Sequence, residues 1–145
     1  MRWLIDSDIF IEGERGNVHF VSWLETVAEV ATADVVRCEF LLGVHAVADT
    51  AKRRRGEQFY AERIAGMVSL ANDPADYQTA ARIAGEARRA GKGSPGLVAG
   101  LLAAIALRTK AKVATRNLRH FQAMGCPCAD PLADFPGGQE TTNLR

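Results

Sequence analysis

The sequence has few cysteines, no long apolar run and no excess of either charge. Its three cysteines are Cys38, Cys126 and Cys128. An odd number, with one cysteine far from the other two, argues against a disulfide framework, and Cys126 and Cys128 are too close together for the usual pair of zinc ligands. We therefore expect reduced thiols and a cytoplasmic location.

Composition also gives no indication of a membrane or of a strongly charged partner. No segment approaches the roughly 18 apolar residues of a membrane span, and Asp6 comes too early for the apolar region of a signal peptide. Lysine and arginine number 18 and aspartate and glutamate 17, which leaves a formal charge of +1. A nucleic-acid site would therefore need local clustering of basic residues.

What the chain does contain is typical of a globular protein. It has 145 residues, of which 48% are hydrophobic and 24% charged, and this is enough for one domain with its own core. We predict a single domain over residues 1–135. Residues 136–145 lack hydrophobic periodicity, so we predict a flexible C-terminal tail there.

Short apolar strands alternate with amphipathic helices along the predicted domain. Strands are predicted at 3–5, 31–36, 67–70 and 112–115, and helices at 18–30, 38–49, 52–66 and 75–90. A further helix is predicted to begin with Ser94 as N-cap and Pro95 as its first residue. This alternation predicts an α/β fold with a parallel sheet and helices on both of its faces.

Polar side chains follow three of the predicted strands. They are Asp6, Ser7 and Asp8 after the first strand, Glu39 after the second, and Thr115, Arg116 and Asn117 after the last. Carboxyl ends of parallel strands share one edge of the sheet, so these groups should meet in a crevice. Two carboxylates 4 Å apart repel by about 4 kcal/mol at an effective dielectric of 20, which favours a bound cation such as Mg²⁺ or Mn²⁺.

Each of these residues also has a purely structural explanation. Asp6 or Asp8 could cap a helix that starts near Ile9. Glu39 could be stabilised by the helix dipole, because acids are favoured in the first turn of a helix. Asn117 could be a turn residue. Taken singly, Glu39 and Asn117 are better explained in this way, whereas the whole set at three strand ends favours a metal site.

The same residues resemble those of a known family. The pattern Leu4 to Asp8, Glu39 opening a helix, and the segments Leu101 to Leu107 and Val113 to Phe121 resemble the PIN-domain ribonucleases, above all their VapC toxin branch. The resemblance covers about residues 2–135, and the last two segments are its most specific part. It implies a doubly wound, mostly parallel sheet and a Mg²⁺-dependent endoribonuclease that cleaves tRNA or ribosomal RNA. It also implies a cognate VapB-type antitoxin and a homodimer.

The resemblance assigns roles to individual residues. Asp6 and Glu39 match metal-binding acids, Asn117 matches a catalytic position near the metal, and Ser7, Asp8 and Thr115 match supporting positions. His120 stands where many relatives carry aspartate. The acids would hold one or two ions, which lower the pKa of a bound water for attack on the phosphodiester. No nucleophilic side chain is needed, and the histidines form no catalytic pattern.

Residue 99 departs from the family pattern. Relatives carry a third metal-binding, catalytic aspartate where this chain has Ala99, and residues 87–107 contain no acid that could substitute. The resemblance therefore implies a nuclease that is inactive or nearly so. Either the acid was lost naturally or it was replaced, and the intact motifs around it favour replacement.

Basic residues near the expected crevice are candidates for binding RNA. Arg116, Arg119 and Lys92 are the best of them, because the fold would place them beside the acids, where they would contact phosphates. The run at 52–55 is an equally good candidate for a solvated helix face, balanced by Glu57 and Glu62.

Two other functions compete with this interpretation. Asp6 and Asp8 also resemble the DxD start of haloacid-dehalogenase-type phosphatases, with Asp130 and Asp134 imitating their later acidic motif. That motif should follow a strand, which Cys126 to Cys128 hardly predicts, and Glu39 would stay unexplained. The second competitor is a non-catalytic PIN-fold module that binds RNA or protein, and Ala99 is the feature that favours it.

Overall fold

The computed structural model describes residues 2–133. The predicted tail at 136–145 lies outside the described residues, so the division of the chain at residue 135 stays a prediction. In the described part of the chain, no helix has the length and hydropathy needed to cross a membrane. All three cysteines are free thiols, as expected.

Parallel strands form one five-stranded sheet, which confirms the α/β class. The strands are β1 (Arg2–Ile5), β2 (Glu29–Ala33), β3 (Ser69–Leu70), β4 (Lys112–Ala114) and β5 (Cys128–Ala129). Their order across the sheet is β3-β2-β1-β4-β5, and all neighbouring pairs are parallel. Leu4 lies opposite both Ala31 and Val113, so β1 is the central strand.

Helices connect the strands. They are α1 (Ser7–Glu14), α2 (Val18–Thr26), α3 (Asp34–Ala46), α4 (Thr50–Phe59), α5 (Pro74–Arg89), α6 (Leu97–Thr109) and α7 (Leu118–Ala123), with a π-helical turn at Tyr60–Ile64. The chain proceeds from β1 towards one edge of the sheet and then returns to β4 on the other side of β1. Because parallel crossovers are right-handed, this reversal puts α1–α4 and α5–α7 on opposite faces, as in a doubly wound fold.

Aromatic side chains pack the core beneath α1–α4. The ring of Phe10 lies 6.2 Å from that of Phe20 and 6.3 Å from that of Phe40, both edge to face. Phe59 contacts Phe20 and Phe40 at 5.7 and 5.9 Å. Aromatic pairs contribute about 0.5–1.5 kcal/mol each beyond the area they bury. These contacts therefore hold the four helices in a fixed relation to one another.

The helix predicted at 75–90 is confirmed within one residue at each end. A capping box explains its start: Asp73 accepts from the Asp76 backbone amide and Asp76 accepts from that of Asp73, both at 3.0 Å, with Pro74 as the first helical residue. Arg108 of α6 donates to both carboxylate oxygens of Asp76, at 3.1 and 2.9 Å. The start of α5 is thereby tied to the end of α6.

The predictions of a helix over 18–30 and a strand over 31–36 are wrong at their shared boundary. The helix ends at Thr26, and Glu29–Ala33 forms β2. Val35 and Val36 have side chains that favour strands, yet Asp34 already begins α3. Pairing with β1 sets this boundary, and it runs through residues 29–31 rather than through the valines.

The predicted start of the helix after residue 94 is also wrong. Its N-cap is Gly96, and the first helical residue is Leu97. The guanidinium of Arg88 donates to the carbonyl of Pro95 at 2.9 Å, so this carbonyl is already bonded to the end of α5. Ser94 and Pro95 consequently lie in the loop, and Ala99 becomes the third residue of α6 instead of the fifth.

Candidate functional site

Asp6 lies where β1 ends and α1 begins, at the point between β1 and β4 where the direction of the strand order reverses. Its backbone amide donates to the carbonyl of Ala114, so the ladder between the two strands continues to this residue. One carboxylate oxygen accepts from the Ser7 amide at 2.8 Å and caps α1, and the other accepts from the Thr115 hydroxyl at 2.9 Å. Asp6 is 8% exposed. A capping role and a place in a buried acidic site therefore coincide in one residue.

Asp8 lies beside Asp6 and shares its partner. Oδ2 of Asp8 lies 3.3 Å from the Thr115 hydroxyl and accepts from the Arg116 amide at 3.0 Å. Its Oδ1 is buried and has no hydrogen-bond partner within the described residues. The Asn117 amide donates to the Thr115 oxygen at 3.0 Å, which orients the hydroxyl. The predicted supporting residues Asp8 and Thr115 thus lie beside Asp6.

Burial and mutual repulsion weaken both acids. Burial, followed by the neighbouring charge of Asp8, raises the pKa of Asp6 to about 7, and Glu39 adds to the effect. Burial also raises the pKa of Asp8, and the charge of Asp130 contributes. A cluster that holds on to protons near neutral pH favours a cation, which would replace the proton and stabilise the ionised forms.

Glu39 reaches the same place from α3. The Ser7 hydroxyl donates a hydrogen bond to its carboxylate, so Ser7 joins Asp6 and Glu39. Glu39 is exposed and lies in the second turn of α3, not in the first. Its position is therefore not explained by the helix dipole, which acts on the first turn.

Arg116 is engaged by acids on two sides. Its guanidinium lies 2.7 Å from Glu12 and 3.5 Å from Asp130. Asp130 follows β5, a strand that was not predicted, so the expectation that no strand precedes this acid is wrong. Its Oδ1 accepts from the amides of Leu132 and Ala133, which gives it a structural role at the start of the last turn. Arg116 and Asp130 together fix the strand ends that frame Asp8.

Comparison with known families decides what this arrangement belongs to. Residues 3–125 match the family model described as PIN domain. The chain belongs to the PIN domain family. The predicted resemblance is thereby confirmed, and the match favours it over the phosphatase. No curated protein matches this PIN domain significantly.

Several solved structures that resemble the PIN domain carry the names FitAcB or VapBC, and one of them, VapBC-5 from Mycobacterium tuberculosis, is described as a member of the VapBC family of toxin-antitoxin systems. The FitAcB structure from Neisseria gonorrhoeae matches with 26% identity and a TM-score of 0.75, over 89% of this chain and 97% of that one. DNA-bound VapBC from Salmonella typhimurium matches with 17% identity and a TM-score of 0.74, over 90% and 98%. VapBC2 from Rickettsia felis, bound to a promoter fragment, matches with 16% and 0.73, over 89% and 98%. The last two show a common fold.

Residue 99 of this PIN domain lies in the first turn of α6. Ala99 is half-buried and packs against the core, and α6 contacts α3, which carries Glu39. The third position of a helix is one where the dipole stabilises an acid by about 0.3–1 kcal/mol. An aspartate at 99 would therefore suit the local structure.

The oxygen ligands present fit one Mg²⁺ ion better than a larger cluster. Within residues 2–133, no three His, Cys, Asp or Glu side chains are grouped as a metal site. Mg²⁺ is usually bound by one or two carboxylates together with water and substrate phosphates. Asp6 and Glu39 could supply that pair, and the unpartnered Oδ1 of Asp8 adds a nearby oxygen.

The remaining predicted site residues lie further out. Asn117 is exposed, and its amide group lies 2.7 Å from Nδ1 of His120. Within residues 2–133, its link to the acids is the hydrogen bond from its backbone N–H to the hydroxyl oxygen of Thr115. Arg119 and Lys92 are exposed. Sequence reasoning missed the contact between Ser7 and Glu39, because it depends on how α1 and α3 pack. It also missed the two ion pairs of Arg116, because they depend on where α1 and the short strand β5 place Glu12 and Asp130.

Proposed function

We propose that this PIN domain is a VapC-type endoribonuclease toxin whose catalytic site lacks one acid, at the position of Ala99. The observation that carries the proposal is the cluster of Asp6, Asp8 and Glu39 at the reversal of the sheet. Its acids repel, and the pKa of Asp6 is raised to about 7. The proposed substrate is tRNA or ribosomal RNA, and the proposed cofactor is Mg²⁺ or Mn²⁺.

The residues have distinct tasks in this proposal. Asp6 and Glu39 hold the metal ion, Ser7 and Thr115 orient their carboxylates, and Asn117 lies at the rim of the catalytic site. When bound, the metal supplies an activated water and stabilises negative charge on the phosphate. With only two carboxylates from the protein, water and substrate would have to supply most of the other ligands of the metal ion. We therefore expect the chain with Ala99 to cleave RNA very slowly or not at all.

Restoring the acid tests this function. We expect Ala99→Asp to cleave tRNA or ribosomal RNA in Mg²⁺ or Mn²⁺, to stop in EDTA, and to arrest growth when expressed. Gel analysis of total RNA measures the cleavage. Ala75→Asp is the matched control, since it adds the same acid to the first turn of a different helix, at an exposed position. Asp6→Asn in the Ala99→Asp background should abolish cleavage.

A melting experiment separates the possible reasons for failure. A ligand that binds only the folded state raises the melting temperature by mass action, so Mg²⁺ should stabilise Ala99→Asp more than the unmodified chain. Equal shifts would mean that residue 99 does not face the acids. A larger shift without any cleavage of either RNA would contradict the nuclease function while leaving the metal site in place.

The proposal includes partners. A cognate VapB-type antitoxin would place its C-terminal segment beside the acids, with a basic side chain against Asp6 and Glu39. The toxin itself would be a cytoplasmic homodimer. The structures of FitAcB and of VapBC complexes motivate the antitoxin. Co-purification of the neighbouring gene product with this chain tests it.

A non-catalytic RNA- or protein-binding module is the second candidate. The specific observation in its favour is that no three acids group as a metal site within residues 2–133. In that case Ala99→Asp would stay inert while the unmodified chain bound its target. RNA binding and cleavage measured on the same two proteins distinguish the candidates.

A further inference from the structure

A groove leads away from the acids between α1, α3 and α4. Its volume is about 420 Å³, and Ser7 and Glu39 form one part of its lining. The apolar part consists of Ile11, Phe40, Val44 and Val47. Three basic residues, Arg15, Lys52 and Arg55, line the groove as well, together with a second acid, Glu14. The groove is therefore continuous with the candidate catalytic site. Two of its cations belong to the run at 52–55, for which RNA binding and a solvated helix face were equally good interpretations.

Lys52 and Arg55 lie on the wall of the groove that α4 forms. They are three residues apart in α4, which puts them on the same side of the helix. Both are exposed, and neither forms a salt bridge within residues 2–133. Arg15, by contrast, lies 4.0 Å from Glu12. The cations available at the groove are thus Lys52 and Arg55, which have an acidic neighbour in Asp49, the N-cap of α4.

Packing holds this wall in place. Gly56 follows Arg55 and is buried, and a β-carbon at this position would lie only 2.7 Å from a methyl group of Val44. The backbone of α4 therefore approaches α3 closely at the groove. Arg53 donates to the carbonyl of Val47 at 2.8 Å and fixes the start of the helix. The two cations project from a rigid element.

Arg116 offers a contrast. Both of its ion pairs, with Glu12 and Asp130, belong to the folded site. Binding a phosphate would mean giving up one of these bonds, whereas Lys52 and Arg55 have no salt bridge to break. The cations of α4 are consequently better suited than Arg116 to an incoming polyanion.

We propose that Lys52 and Arg55 bind consecutive phosphates of a single RNA strand that lies in this groove and leads to Ser7 and Glu39. This inference rests on the proposed function and names how its substrate is held. The apolar part of the groove offers few donors to base edges. Binding through phosphates should therefore be largely independent of sequence and strongly dependent on salt.

The unmodified chain allows binding to be measured without cleavage. The probe is a fluorescein-labelled single-stranded RNA oligonucleotide, followed by anisotropy over a series of salt concentrations in EDTA. The variant is Lys52→Gln with Arg55→Gln. The matched control is Arg54→Gln with Arg63→Gln, which removes the same charge from exposed positions that do not line the groove.

The expected result is specific to the groove. Losing two phosphate contacts should make the negative slope of log affinity against log salt shallower by about 1.4 and weaken binding roughly 20-fold at about 0.1 M salt. The control should keep the slope and most of the affinity. Equal losses in both double variants would overturn the assignment in favour of a general charge effect. Unchanged RNA affinity and salt dependence in the groove variant would also overturn the assignment, and would favour a peptide as the occupant of the groove.

The outcome is separable from that of the proposed function. RNA binding that depends on Lys52 and Arg55, together with an Ala99→Asp variant that does not cleave, would support this inference and contradict the nuclease. Cleavage by Ala99→Asp with no effect of the α4 variant would do the reverse. Absence of RNA binding by the unmodified chain would overturn the inference.

Discussion

Thr115 has one hydroxyl proton and two carboxylates within reach. Asp6 lies 2.9 Å and Asp8 3.3 Å from its oxygen, and the Asn117 amide takes up the acceptor side. Only one acid can receive the proton at a time, so the other ionised oxygen is less well compensated. This shortage of donors adds to burial in making the pair weak acids.

The acidity of Asp6 should appear in the stability of the protein. Its pKa is about 7 in the folded chain, whereas the ordinary value for an aspartate, which applies to the unfolded chain, is 3.8. The folded chain therefore binds the proton more tightly. This contribution is complete below about pH 4 and is lost as the pH rises towards 7, at a cost of up to about 4 kcal/mol. Urea unfolding in EDTA across this range measures it.

Asp6→Asn should remove most of that pH dependence. Asp8 keeps a smaller slope of the same sign, because burial raises its pKa as well. Asp49→Asn is the control: the pKa of Asp49 is lowered, mainly by the Lys52 amide, so its contribution to stability is constant above about pH 4 and is lost only as the pH falls below that. A free energy of unfolding that is flat between about pH 4 and 7 in the unmodified chain would contradict the raised pKa of Asp6.

Individual site residues differed in how far the sequence could predict them. Asp6, Asp8 and Thr115 come together as strand ends predict, because alternation identified β1 and β4. The contact between Ser7 and Glu39 requires the angle between α1 and α3, which is set by Phe10 and Phe40 and has no local signal. Arg116 was predicted to bind RNA, and its ion pair with Asp130 was not foreseen. That ion pair depends on β5, a strand of two residues that the sequence did not reveal.

At the scale of single elements, α3 and α4 lie unusually close. Gly56 of α4 is buried against Val44 of α3, whereas a β-carbon on Gly43 of α3 would have nothing within 4 Å. Alanine is favoured over glycine in a helix by about 1 kcal/mol. At position 56 this gain is opposed by overpacking, which costs about 1–3 kcal/mol.

The two alanine variants should therefore differ in stability. Gly43→Ala is expected to stabilise the protein by about 0.5–1 kcal/mol. Gly56→Ala should lose stability relative to Gly43→Ala by about 1–3 kcal/mol, since Val44 is β-branched and cannot rotate away freely. Urea unfolding of both variants measures the difference. Equal stabilisation would show that α4 can move away from α3.

Element types were easier to predict than element ends. The helix at 75–90 was located correctly because Asp73 and Pro74 give a strong local start signal. The boundary at β2 was missed because Val35 and Val36 favour a strand by propensity, while pairing with β1 decides the outcome. β5 consists of Cys128 and Ala129 alone, which is too short for any periodic signal.

At the scale of the whole molecule, the α5–α6 surface is a candidate for the homodimer contact. Leu97 is 81% exposed and borders a groove of about 250 Å³ between the two helices, lined by Ala80, Ala81, Ala84 and Gly85. A two-fold interface brings one patch against its own copy, so the leucine of each subunit could fill the groove of the other. Burying the exposed leucine twice would favour association.

We expect the chain to be a dimer by light scattering and Leu97→Glu to shift it towards the monomer. Leu42→Glu is the control, because Leu42 of α3 is 67% exposed and does not line that groove. A dimer that resists Leu97→Glu but yields to Leu42→Glu would place the contact on α3. A monomer at high concentration would contradict the homodimer itself.

The position of β1 at the centre of the sheet has a consequence for how the protein is made. The hydrogen bond between Thr115 and Asp6 spans 109 residues. During synthesis β1 leaves the ribosome first, and its neighbour β4 follows only after α6. Until then Asp6 lacks its bond to the Thr115 hydroxyl, and β1 lacks its neighbour β4. A nascent toxin of the proposed kind would thus carry Asp6 and Glu39 without Thr115 and Asn117, and the ribosome, itself largely RNA, would face an incomplete site for most of synthesis.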